Sequence, residues 1–360
     1  MAPRRSSGGS SSSSSYYSDD NPWSQEIQFS LDAVRSKSLF IAGFAFDVLT
    51  ILALIIFLVW ACIIPNGRGQ LKGVLSALFA YLTAMICILI YEIFFLADAT
   101  VTMYYVIDLM LNELFFLLAG CLLFFVFYNL IHSLLDRLTD SGKPYAVVAV
   151  VHWVLLGLVS LLSLATFALF VAVEVQFVQE NYNSSLGNHY FKMESARGII
   201  WWILSLEIVA WFIFIAVKAG SHRFTSKLPV FSLIVGSVSW MALNMMYAVI
   251  YIRYTLETNT SIAPKYLNTV ESVCQFFFVV GIFGGILLAC MKWRNVDDRP
   301  DKHGPEQYPA GTGPYQSYQH YQQQYPPQAQ QYYQQQPYQQ PYSQPPPQQP
   351  LPQAQPHQDK

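Results

Sequence analysis

Apolar residues fall into seven long runs separated by short polar connections, spanning 39–64, 74–96, 104–130, 145–175, 199–219, 229–252 and 269–291. A hydrocarbon core of roughly 30 Å takes about 20 helical residues to cross. Lipid offers no partner to backbone N–H and C=O groups, so a run of this length is expected to pair its backbone internally as a helix. Barrel strands would read as alternating segments of about ten residues, a pattern these runs lack. The pattern therefore predicts an all-α fold, a seven-transmembrane-helix bundle with disordered polar tails. Its divisions are a flexible outer tail at 1–38, a membrane domain at 39–292 and a cytoplasmic tail at 293–360. A serine-rich stretch, in place of a short basic leader, precedes the first run, so that span is expected to serve as an uncleaved anchor.

Composition sharpens the division. Residues 6–18 are mostly Ser and Gly, with too little apolar surface to offset the entropy of ordering. From Tyr308 onward Gln, Pro and Tyr dominate, a composition of extended or disordered chain. Its Tyr325-Pro326-Pro327-Gln328 and Pro346-Pro347 segments offer short polyproline-like surfaces to a cytoplasmic protein partner.

Charge gives the sidedness. Arg137 and Lys143 lie in the third connection, Lys218, Arg223 and Lys227 in the fifth, and Lys292 and Arg294 after the last span. Positive residues favour the cytoplasmic face, which places the amino terminus outside and the carboxyl terminus inside. Two glycosylation sequons, at Asn183 and Asn259, fall in the fourth and sixth connections, both on the predicted outer face. The expected residence is the plasma membrane.

Several spans carry acids where lipid is hostile. Asp47, Glu92, Asp108 and Glu113 all map to the outer half, and a charge at the bilayer centre costs on the order of 3 kcal/mol. Asp108 and Asn112 share a helical face by their spacing, so the amide is expected to donate toward the carboxylate. Glu207 lies mid-span among Trp201, Trp202 and Trp211; Asn244 sits at similar depth near Tyr247, and Glu271 opens the seventh span beside Gln275. Together these predict an acidic and aromatic cavity open to the outside, suited to a small cationic or amphipathic ligand. Two other readings of the acids stand beside this one: structural ties between helices, and an ion or proton route. His152 reads as an isolated embedded histidine in the inner half, and span interiors contain no Lys or Arg. Gly281 and Gly285 form a small face that permits close helix approach. Each of the five cysteines maps to a span or its end.

Other chemistries find little footing. No convergent His, Asp and Glu set suggests a metal, and no phosphate loop or nucleophile elbow is present, so neither an enzyme nor a cofactor is expected. A net charge of −2 without a basic domain excludes nucleic acid as a partner.

Seven spans with an outside amino terminus resemble the G-protein-coupled receptors, and Asp136-Arg137-Leu138 at the end of span three is similar to their acidic-Arg-aromatic switch in its first two positions. The resemblance implies a state-dependent network at Arg137. Span seven lacks the Asn-Pro-x-x-Tyr signature of those receptors, and it lacks the lysine that the similarly seven-spanned microbial rhodopsins need for retinal. Bundle, sequons and polar tail together look like fungal seven-helix receptor-like membrane proteins. The leading expectation is a receptor-like sensor in the lipid bilayer, its outer acids and aromatics binding a small molecule while Asp136, Arg137, Arg223 and Lys227 report to a cytoplasmic partner. The alternatives are a proton- or cation-linked transporter and a scaffold that works through its tail.

Overall fold

The computed structural model describes residues 21–31, 36–64, 68–138, 146–180, 184–221, 228–256 and 264–292. Within them are seven helices long and apolar enough to cross a membrane: α1 (Lys37–Ile63), α2 (Arg68–Leu96), α3 (Tyr105–Leu138), α4 (Ala146–Val178), α5 (Ser184–Ser221), α6 (Leu228–Ile250) and α7 (Leu267–Lys292). This is the expected helical bundle of a multi-span membrane protein. A π-helical stretch, Tyr251–Leu256, continues α6.

Consecutive helices pack side by side, α7 returns to α1, and the ring is braced across its middle where α3 meets α5 and α2 meets α7. The core between them is aliphatic and aromatic, with Phe124, Phe127, Phe212 and Phe283 fully buried. Apolar side chains also cover the outside: Ile56, Val59, Val147, Leu161, Val217 and Phe231 are exposed. In water such a surface would be an aggregation liability, whereas lipid is a matching solvent for it. α4 is the most peripheral helix, with 17% of its most apolar window buried against 56% for α3.

α6 and α7 approach most closely where glycines meet. A Cβ on Gly285 would stand 2.8 Å from the Gly236 nitrogen and 2.5 Å from the Ser232 carbonyl oxygen, and one on Gly281 would overlap the Ser239 side chain. The small face expected in span seven is thus the seam between these helices.

Two differences from the sequence reading matter for the site. Residues 21–31, inside the segment expected to be a flexible tail, form a 3-10 turn (Pro22–Ser24) and a strand, β1 (Glu26–Gln28). β1 pairs antiparallel with β2 (Thr100–Thr102) in the α2–α3 connection, with Ile27 opposite Val101. Phe29 plugs this ribbon onto the bundle, packed edge-on against Tyr91, Phe95 and Tyr105. Asp98, in the left-handed region at φ 46°, accepts a 2.8 Å hydrogen bond from the Leu31 N–H. The apolar residues that direct this cap are too few to register beside the spans. Second, α5 begins fifteen residues before its apolar run. Its first turns therefore carry Tyr190, Glu194 and Arg197 into the bundle, all three buried. Arg197 precedes the apolar run of span five, whose interior holds no Lys or Arg, yet it lies inside the bundle and is only 2% exposed.

Candidate functional site

Asp47, Glu92, Glu113, Glu207, Glu271 and Gln275 lie in three separate polar knots, two toward the ribbon end of the bundle and one toward the opposite end.

The first joins α1, α2 and α7. Asp47 accepts a 2.9 Å hydrogen bond from Ser272 Oγ, and the nearby Glu92 has its Oε2 buried without a partner. Glu271 stands close enough to Asp47 to feel its charge. One helix turn further in, the Gln275 amide donates to Tyr81 Oη at 3.0 Å. Thr269 Oγ1 also donates to the Leu39 carbonyl at 2.7 Å, so α7 is tied to α1 by two side-chain bonds at this end. Bonds of this kind contribute roughly 0.6 kcal/mol each between membrane helices, enough to set register without dominating stability.

The second knot joins α3, α5 and the π-helical stretch. Arg197 is its centre. Its guanidinium lies 4.8 Å from the Trp201 ring and 5.8 Å from the Tyr251 ring, the geometry of cation–π contacts. Its polar contacts are long: 4.0 Å from Nη2 to Glu194 Oε1, and 3.5 Å from Nη2 to the Tyr251 hydroxyl. Glu113 on α3 faces the same guanidinium. Arg197 Nε and Glu113 Oε1 are both buried without a protein partner. A buried charged group normally gathers short, saturating bonds, and leaving donors unmade costs about 1–3 kcal/mol or more.

The third knot joins α3, α4 and α5. Glu207 accepts from the Tyr128 hydroxyl at Oε2 (3.1 Å) and from the Trp211 indole at Oε1 (3.1 Å), and its Oε1 also lies 3.1 Å from His152 Nε2. His152 Nδ1 is 2.9 Å from His132 Nε2. The rings stack as well: Tyr128 lies 4.3 Å from His152 at 14°, and His132 lies 5.0 Å from it at 17°. His132 and His152 line a small cleft with Phe125, Asn129 and Trp153, of a size for about one water molecule. The expectation of an isolated His152 is corrected here: it is 1% exposed, with both ring nitrogens engaged. Nothing local in the sequence announces this pairing, since the partners are 20 and 55 residues away.

The remaining candidates fall apart from one another. Asn112 donates to the Ala84 carbonyl on α2 at 2.7 Å, so it does not turn to Asp108 as expected; a strong acceptor on the neighbouring helix wins. Asp108 has Cys87 beside it on α2 and leaves Oδ2 unpartnered. Asn244 donates back to Trp240 of its own helix at 3.0 Å. Tyr247 stacks on Tyr251 and edges against Phe116 between the first two knots. Asp136, one turn beyond His132, has a buried oxygen without a partner. The Arg137 side chain and residues Asn183, Arg223, Lys227, Asn259 and 293–360 lie outside the described residues. Among the described residues no group of three or more His, Cys, Asp or Glu is arranged to hold a metal ion; His132, His152 and Glu207 stand in line instead of converging.

No family model matches the chain, and neither a curated protein nor a solved structure is significantly similar to it.

Proposed function

We propose that this seven-helix membrane protein is a receptor-like sensor, and that its ligand site is the knot of Glu113, Glu194 and Arg197. The observation that carries this reading is the pair of buried, unpartnered atoms on two different helices, Glu113 Oε1 and Arg197 Nε. A small amphipathic ligand with one donor and one acceptor would saturate both, its cationic or N–H group toward Glu113 and its acceptor toward Arg197. Trp201 and Tyr251 supply the apolar walls.

A ligand changes a protein's state only by binding two states with different free energies. Here α3 and α5 touch; α3 carries Glu113 of the ligand knot and α5 carries Glu194 and Arg197, and both helices carry part of the Glu207 knot. Ten residues separate Arg197 from Glu207, about 15 Å along α5. A shift of α5 at Arg197 therefore moves Glu207 against His152, and Asp136 with Arg137 at the end of α3 reports it, with Arg223 and Lys227 beyond α5, to a cytoplasmic partner. The ribbon end is the outer face in this reading, the plasma membrane is the site of residence, and Asn183 and Asn259 border connections on that face. The role is binding and signalling, without catalysis.

The test is a panel of small amines and zwitterions screened by the melting temperature of the full chain in nanodiscs. Ligand at a hundred times its Kd stabilises by about 2.7 kcal/mol, a shift of several degrees. Hits should vanish in Glu113→Gln and Arg197→Gln and persist in Asp47→Asn. A panel without hits, or hits that survive both changes, contradicts the assignment. The Glu207–His152–His132 chain favours a second reading, a proton-linked carrier, which access to Glu113 from both faces would support.

A further inference from the structure

We propose that His132, His152 and Glu207 form a proton-loading site, filled from the end of the bundle opposite the ribbon and distinct in its residues from the ligand knot. The hydrogen-bonded line runs from the cleft inward: His132 Nε2 to His152 Nδ1 at 2.9 Å, then His152 Nε2 to Glu207 Oε1 at 3.1 Å. His132 lies six residues before the end of α3 and His152 six after the start of α4, so each is about 9 Å from the helix ends at this face.

The network fixes the proton positions. With Glu207 as a carboxylate, His152 Nε2–H donates to it, which leaves His152 Nδ1 as the acceptor of His132 Nε2–H. A proton from water then binds the remaining nitrogen of His132, whose ring lines the cleft. Its Nε2 proton passes to His152 Nδ1, and the His132–His152 bond reverses direction. One proton has entered, one imidazolium stands on His152 beside the Glu207 carboxylate, and no other bond has changed. A second proton is opposed, because two imidazolium rings would aim N–H at N–H across 2.9 Å. The loading is therefore a single step.

The groups facing the relay are compatible with this assignment. From α3, Tyr128 donates to Glu207 Oε2 and Asp136 lies near enough to His132 for its charge to act there. From α5, Trp211 donates to Glu207 Oε1 and presents its ring edge to His152 at 5.7 Å. Trp211 also supplies a reporter, since charging a histidine against an indole alters its emission.

The experiment titrates tryptophan emission of the full chain in lipid nanodiscs between pH 8 and 5, with Trp211→Phe subtracted to isolate one indole. The expected Trp211 signal is a single one-proton transition. It disappears in His152→Gln, shows about tenfold weaker proton binding in Glu207→Gln, and responds at least tenfold more slowly to a pH jump in His132→Gln. Circular dichroism and gel filtration confirm folding of each variant. Nitrogen-15 histidine spectra of the unsubstituted protein give a second, mutation-free reading, in which the His132 and His152 resonances move together as one proton is added. A flat Trp211 signal, a signal indifferent to His152→Gln and Glu207→Gln, or rings that stay neutral down to pH 5 overturns the proposal.

Discussion

Glu207 shows how a half-buried acid in a membrane helix is made tolerable: its two oxygens engage Tyr128, Trp211 and His152, so the carboxylate is held by groups from three helices. Replacing Glu207 with Ala removes the acceptor and leaves the Tyr128 and Trp211 donors stranded, at a cost of about 1–3 kcal/mol. Urea or SDS titration of the purified protein should show that loss, and Glu207→Gln, which keeps an acceptor, should recover part of it. Unchanged stability in Glu207→Ala would mean the knot is not formed. The sequence marked Glu207 as costly through its place in an apolar run and set Trp211 beside it, but could not name the partners that come from α3 and α4, Tyr128 and His152. Arg197 was more nearly legible. Glu194 and Arg197 are three residues apart, the spacing of a helical ion pair, and Trp201 follows four later; only the polar stretch around them hid the helix.

At the scale of elements, the seven helices follow from the length of the apolar runs, while their ends do not. α3 runs on past its apolar stretch to Leu138, and α5 starts early at Ser184, because helix continues beyond the apolar run wherever side chains still pack. The ribbon is short and was invisible for the same reason: its stability comes from Phe29 contacts made across the chain. Phe29→Ala should therefore release residues 21–31, measured as faster proteolysis ahead of α1, with the bundle's helical signal retained. The α6–α7 seam gives a sharper test. Gly285→Leu must push two backbones apart and should destabilise by at least about 1–3 kcal/mol in the SDS titration, whereas Gly157→Ala on α4, where a Cβ meets nothing within 4 Å, should stay within about 0.5 kcal/mol. Equal effects at the two sites would deny the close approach.

In the molecule as a whole, an aromatic and aliphatic core keeps the Arg197 and Glu207 knots apart. Phe124, Trp201 and Trp240 pack edge to face between them, and the Trp201 ring also fills the space in which a Gly120 side chain would sit. A sensor needs this separation, since a continuous water path would discharge whatever the proton site stores; a carrier needs the separation to break in each cycle. The most direct measurement is side-specific aqueous labelling of the full chain in sealed vesicles, with the five native cysteines replaced and Glu113→Cys or His132→Cys introduced singly. Position 113 is expected to react only from the ribbon face and position 132 only from the opposite face. Labelling of either position from both faces would contradict this, and would make the bundle a transport path.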